Sequence, residues 1–122
     1  MSKTRVKLGR RGENLAADEL SRRGYDIVNR NWRCRIGEVD IAALRDDVWT
    51  FFEVRTRRGR AFGTPEQSVT PAKMARMVDV ARMYLSTHGL NVHAVNWRIG
   101  VVAVEMDELG RLLRVEVYDK LW

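Results

Sequence analysis

Asp40 and Glu53 are the residues best placed to do chemistry in this chain, because the segments that carry them read as two neighbouring strands of one hairpin. Gly37 to Leu44 is the first strand, Val48 to Arg55 the second, and Arg45-Asp46-Asp47 joins them. With Asp46 and Asp47 as a two-residue turn, Asp40 falls opposite Glu53, Glu38 opposite Arg55, Val39 opposite Val54, Ile41 opposite Phe52, Ala42 opposite Phe51 and Leu44 opposite Trp49. Opposed β-carbons lie about 4.5 to 5.5 Å apart, so two carboxylates there repel. Three arrangements relieve the repulsion: one group takes up a proton, a cation such as Arg55 intervenes, or a divalent metal ion binds both. Asp-Asp is not the favoured pair for such a turn, and a loop one residue longer or shorter would send the carboxylates to opposite faces.

The rest of the chain supplies elements to hold this hairpin. Residues 9–23 have an apolar stripe of Leu8, Leu15, Ala16 and Leu20 closed by Gly24, and predict a helix. Residues 1–8 read as a flexible basic tail. Tyr25 to Val28 starts a first strand, the hairpin follows, and Arg57 to Pro65 is a basic loop containing glycine. A second helix has Thr70 as its cap, Pro71 at its first position, a stripe of Met74, Met77, Val78, Ala81, Tyr84 and Leu85, and Gly89 as its stop. The methionines share that stripe with Ala and Val and so read as core. Arg98 to Val104 is a buried strand, parallel to the second hairpin strand because a helix crosses between them. After a turn at 107–110, Leu112 to Tyr118 alternates as an edge strand. The order α-β-β-β-α-β-β predicts one α/β domain over residues 1–122, with a mixed β-sheet flanked by helices.

Charge points to the partner. Residues 1–35 hold ten Lys or Arg against four Asp or Glu, whereas residues 36–122 hold twelve of each, so the whole net charge of +6 arises in the first third. Two basic strings stand out: Lys3, Arg5, Lys7, Arg10 and Arg11, then Arg55, Arg57, Arg58 and Arg60. Basic groups beside paired carboxylates suit a polyanion that is gripped while a metal ion neutralises one phosphate; solvated surface is the plainer reading of either string alone. Cys34 has no partner for a disulfide, and with only His88 and His93 a Cys/His zinc site is not expected. No apolar run is long enough to span a bilayer and none follows the basic N-terminus, so neither a membrane span nor a secretory signal is expected, and the location is read as cytoplasmic.

Asp40 followed by Glu53-Val54-Arg55 resembles the PD-(D/E)xK nuclease signature. Arg11-Gly12-Glu13, Gly24-Tyr25, Arg30-Asn31-Trp32-Arg33, Gly37-Glu38-Val39-Asp40, Phe52 to Arg57, Phe62-Gly63-Thr64-Pro65 and Lys73 together look like the YraN family of small bacterial proteins. That family is similar to archaeal Holliday junction resolvases in having a restriction-endonuclease-like fold. The resemblance implies that Asp40 and Glu53 are metal ligands, with the Val54 carbonyl as a third and Glu13 completing the acidic set. Periodicity does not single out Glu13, since Glu19 is no worse placed on the helix. Two positions depart from the pattern: Arg55 stands where Lys is usual, and Gly100 stands in Arg98-Ile99-Gly100 where Arg-Phe-Asp is usual.

The expected activity is therefore Mg²⁺- or Mn²⁺-assisted hydrolysis of DNA phosphodiesters, selective for structure, with Glu13, Asp40, Glu53 and Arg55 at the reacting phosphate. Arg10, Arg11, Arg57, Arg58, Arg60 and Lys73 would contact the nucleic-acid backbone, which carries no base information. Arginine stays protonated and cannot act as a base, so Lys73 is the alternative source of an ammonium group, although a surface role is the plainer reading of it. Trp32 and Trp49 could stack on bases, core packing being the stronger reading for Trp49. A homodimer would suit a two-fold symmetric junction. Two other functions compete: a nucleic-acid-binding protein that keeps the nuclease fold without turnover, and a protein-interaction domain whose acids merely pair with Arg55.

Overall fold

The computed structural model describes residues 3–121, and both helices in it end in the same device. Helix α1 (Lys3–Arg22) stops where Gly24, at φ +89°, donates its N–H to the Ser21 carbonyl and Tyr25 donates to that of Leu20. Helix α2 (Pro71–Thr87) stops at Gly89, φ +71°, with bonds from Gly89 to Ser86 and from Leu90 to Leu85. At its start the Thr70 hydroxyl accepts the Lys73 N–H at 3.2 Å, as the sequence leads one to expect. Helix α1 begins well before residue 9. Residues 5–7 are exposed and lie beyond the apolar stripe, so hydrophobic spacing carries no sign of them, and nothing in Lys3 to Leu8 breaks a helix. Residues 1 and 2 of the expected tail lie outside the described residues.

Five strands, β1 (Asp26–Cys34), β2 (Gly37–Arg45), β3 (Val48–Arg58), β4 (Asn96–Met106) and β5 (Leu112–Tyr118), form one mixed sheet in sequence order. β3 and β4 are parallel because α2 crosses between them; the other neighbours are antiparallel. One core, of Ala16, Leu20, Tyr25, Ile41, Phe52, Val102 and Met106, lies under α1. The other, of Val39, Ala42, Phe51, Val80, Tyr84, Leu85 and Ile99, lies under α2. Met74 and Met77 pack against the second core, as do Trp32 and Trp49, which meet the Tyr84 ring at 5.2 and 5.7 Å. Neither tryptophan is a free stacking platform.

The β2–β3 turn is the expected two-residue one, with Asp46 and Asp47 both left-handed at φ 51° and 62°. The expected register holds from Arg45 opposite Val48 to Ile41 opposite Phe52. There the ladder ends: the expected pairing of Asp40 with Glu53 does not form, nor do those of Val39 with Val54 and Glu38 with Arg55. Past that rung β2 stays with β1 as far as Gly37 opposite Cys34, while β3 stays with β4 as far as Arg58 opposite Met106. Val39 and Ile41, two residues apart, lie in opposite cores, so alternation along β2 is broken at Asp40. The result is a fork between two strands, with Asp40 at its crotch. Arg57 and Arg58 belong to β3 rather than to a loop, and among the described residues no helix is long and apolar enough to cross a membrane.

Candidate functional site

At the fork the Asp40 carboxylate takes the place of a backbone partner: its Oδ2 accepts the Val54 N–H at 2.8 Å. In an extended strand the N–H and C=O of one residue project to the same side, so the Val54 carbonyl faces the β2 edge as well. Burial pushes the Asp40 carboxyl up to about 7, and the charges of Glu38, Glu53 and Glu13 add to that rise against the Val54 N–H, which lowers it. Each of these neighbouring acids is paired with an arginine of its own, Glu53 with Arg55 at 3.3 Å, Glu13 with Arg30 at 2.9 Å and Glu38 with Arg33 at 3.5 Å, yet the Asp40 carboxyl stays raised.

Glu53 points to the α2 side of β3, as Phe51 does. Its Oε1 accepts from Arg55 at 3.3 Å, and its Oε2 is buried without any hydrogen-bond partner. A buried carboxylate oxygen left unpaired is costly in free energy unless something cationic or a donor reaches it. Arg55 is itself held, donating from Nε to Ser68 Oγ at 2.7 Å; Ser68 Oγ donates to the Pro65 carbonyl at 2.5 Å. Lys73, in the first turn of α2, donates from Nζ to the Ser68 carbonyl at 3.0 Å, so the two cations share Ser68 as a footing.

Glu13 reaches the site from the other face. Its Oε1 accepts from Arg30 Nε at 3.0 Å and Asn31 Nδ2 at 2.8 Å, and Asn31 adopts a left-handed φ of 54°. Glu13 is thereby tied to β1, while its charge is felt at Asp40. Gly12 beside it lets α1 approach β3, since a Cβ at that position would run into Thr56 Oγ1. Glu38, expected opposite Arg55 and not among the site residues, lines with Glu53, Val39, Phe51, Phe52 and Met77 a cleft of about 10 Å³, room for a single water-sized sphere. The signal was present, because Glu38 stands two residues before Asp40. Ser68 was passed over too, and nothing in its local sequence marks it. Among the described residues, no three His, Cys, Asp or Glu side chains are gathered closely enough to form a ready metal cage.

The basic residues divide. Arg10 is exposed on α1. Arg11 donates to the Gly110 carbonyl and Arg58 Nε to that of Glu108 at 2.9 Å, so both keep their full charge. Arg57 is half-buried, with its Nε buried and unpaired. Arg60 instead forks onto Glu105, which is buried and also accepts from Arg114 Nε at 2.7 Å. Arg114 binds both oxygens of Glu66 at 2.7 Å, and that guanidinium pulls the Glu66 carboxyl down to about 2. This four-membered network fastens β4, β5 and the 3₁₀ turn Glu66–Ser68 together. Arg60 has a structural partner.

Gly100 lies opposite Phe52, and a Cβ there would stand 2.6 Å from Phe52 Cε1 and 2.7 Å from the Tyr118 carbonyl oxygen. The space where the resemblance leads one to expect Asp is thus closed off here by the Phe52 ring.

The profile of the uncharacterised protein family UPF0102 matches residues 12–104. A UPF0102 protein of Roseiflexus castenholzii is 46% identical over 116 residues, 95% of this chain and 93% of that protein. One of Moorella thermoacetica is 43% identical over 117 residues, 96% of each chain, and one of Clostridium perfringens is 35% identical over 122 residues, 94% of this chain and all of that protein.

Proposed function

This chain belongs to the uncharacterised protein family UPF0102, which is the YraN family, and from that premise we propose that it is a metal-dependent, structure-selective nuclease acting on DNA phosphodiesters. One observation carries the reading. Asp40 sits at a fork in the sheet among Glu38, Glu53 and Glu13 with its carboxyl raised to about 7, while the buried Glu53 Oε2 has no partner. A divalent cation would satisfy both the raised Asp40 carboxyl and the unpartnered Glu53 oxygen, and Mg²⁺ or Mn²⁺ would be held by Asp40, Glu53 and the Val54 carbonyl. The ion, when bound, supplies an acidified water and charge neutralisation at the phosphate.

This chain's own residues would do the rest. Arg55, permanently protonated and steadied by Ser68, would lay its guanidinium against the phosphate oxygens as negative charge builds. Glu53 would orient Arg55 through their shared contact, and Lys73, on the same footing, would add a second positive group. Arg10, Arg11 and Arg58 would grip neighbouring phosphates.

The test is cleavage of linear, single-stranded, flapped and four-way-junction DNA in Mg²⁺ or Mn²⁺, beside an Asp40→Asn control. Product from the wild type alone supports the reading, and product that persists in the control removes it. A second reading, binding without turnover, draws on Arg55: a guanidinium pinned between Glu53 and Ser68 cannot take up a proton from water. Salt-sensitive DNA binding with no product on any substrate would select it.

A further inference from the structure

Between β3 and α2 the chain makes a finger whose base is fastened at every step. The Gly59 N–H donates to the Met106 carbonyl at 2.9 Å, and Gly63 donates to Arg60 at 3.1 Å. Thr64 and Gln67 cap one another, Thr64 N–H to Gln67 Oε1 at 2.7 Å and Gln67 N–H to Thr64 Oγ1 at 3.2 Å. Gly63 has φ +86°, and a Cβ there would stand 2.5 Å from Gln67 Oε1, so the tight bend needs glycine. Arg60 is anchored by the buried Glu105, and Arg58 by the Glu108 carbonyl. At the tip of this braced loop Phe62 is 86% exposed.

A single exposed apolar side chain is ordinary on a protein surface. An aromatic ring held out by a braced loop on a cationic base is a more specific thing. Arg58, Arg11 and Arg111 gather at the base against Asp107 and Glu108, Asp107 being paired with Arg111 at 2.6 Å. A ring that offers a flat face beside positive charge fits an unpaired nucleic-acid base attached to its phosphate. Stacking on such a ring is available to every base, whereas paired bases in a duplex have both faces covered by their neighbours. Because the loop is already ordered, little freedom is lost when a base lands on it.

We infer that Phe62 is a base-stacking residue that directs this protein to nucleic acid with unpaired or unstacked bases. The inference rests on the nucleic-acid part of the function proposed above, and deepens it by naming the feature recognised. Arg58 lies five residues along β3 from Glu53, which puts the foot of the finger roughly 17 Å from the acidic fork. That is about five base rises of duplex DNA, so one bound strand could reach both.

The test is fluorescence anisotropy of the full chain in EDTA, so that no cleavage intervenes, against one labelled strand and the same strand annealed to its complement. Phe62→Ala is expected to weaken single-strand binding about tenfold and leave duplex binding unchanged, with Phe62→Trp retaining wild-type affinity. Quenching of a 2-aminopurine base in the strand by wild type, lost in Phe62→Ala, would report the stack directly. The exposure of Phe62 keeps the fold out of the comparison. Unchanged single-strand affinity in Phe62→Ala, or equal loss on both probes, overturns the finger and leaves the nuclease reading in place. Wild-type protein that binds neither probe overturns both. Selective binding through Phe62 with no cleavage anywhere supports the finger and removes the nuclease.

Discussion

The Val54 N–H donates to Asp40 Oδ2 at 2.8 Å, a side-chain bond where the β2–β3 ladder would otherwise have placed its next rung. One hydrogen bond therefore both ends the strand pairing and holds the acid at the mouth of the fork. It favours the charged carboxylate, yet burial and three neighbouring acids outweigh it.

That imbalance has a sign in stability. The Asp40 carboxyl rises from the usual 3.8 to about 7 on folding, so between those values the folded protein keeps a proton that the unfolded chain releases. The contribution is fully present below pH 4 and is lost as pH rises through 7, a change of about 2 to 4 kcal/mol. Asp40→Asn keeps an oxygen for the Val54 N–H and has no charge to bury. Urea unfolding should find the variant more stable than wild type at pH 8, with the gap closing by pH 4. A variant less stable at pH 8 would show that Asp40 is not crowded by its neighbours.

A divalent cation should reverse the same penalty. Because binding needs Asp40 deprotonated, Mg²⁺ or Mn²⁺ should raise the melting temperature more at pH 8 than at pH 6. At a hundredfold excess over Kd the stabilisation is about 2.7 kcal/mol. Glu53→Gln should abolish the shift, since it neutralises the group whose Oε2 has no partner. An equal rise in wild type and Glu53→Gln would place the ion elsewhere. Calorimetric titration with the metal alone reads this without any assay of cleavage.

What the sequence makes legible is what depends on near neighbours. The α2 boundaries follow from Thr70, Pro71 and Gly89, and the hairpin register from one Asp-Asp turn and a period of two. The positions of the carboxylates do not follow from that period. Asp40 faces sideways because β2 and β3 part company after Ile41 and Phe52, each staying with its outer neighbour, which is a property of the whole sheet. Ser68 meets Arg55 across thirteen residues and Glu105 meets Arg60 across forty-five, contacts that only the closed fold creates. Glu13 comes from the resemblance and not from periodicity; in the fold its charge reaches Asp40.

Gly12 and Thr56 form a contact that can be taken apart. A Cβ at Gly12 would run into Thr56 Oγ1, and that hydroxyl is buried without a partner. Gly12→Ala should therefore destabilise by about 1 to 3 kcal/mol, although alanine is the better helix former. Thr56→Ala alone should be nearly neutral, and the double variant should recover part of the loss, since the Cβ of residue 56 would still lie 2.9 Å from the added Cβ. A double-mutant cycle read by urea unfolding measures the coupling, and additive effects would mean that α1 does not approach β3 at this point.

Gly100 tests whether the departure at that position is built into this chain's packing. An Asp there, as the resemblance implies, would place its Cβ 2.6 Å from Phe52 Cε1 and 2.7 Å from the Tyr118 carbonyl, with Tyr25 edge-on to Phe52 at 5.3 Å behind it. Gly100→Ala should cost about 1 to 3 kcal/mol through overpacking alone. Gly100→Asp should cost more, because it adds a carboxylate against the Phe52 ring. Gly100→Ala combined with Phe52→Leu should recover part of the loss: leucine lacks Cε1 but keeps δ-carbons, and the Tyr118 backbone oxygen stays where it is. If Gly100→Asp instead folds as well as wild type and strengthens Mg²⁺ binding, the sheet has room for a further acid. The site would then lack that ligand only by substitution. If it unfolds, Phe52 and Gly100 are one packing unit, and any metal chemistry here is confined to Asp40, Glu53 and the groups already beside them.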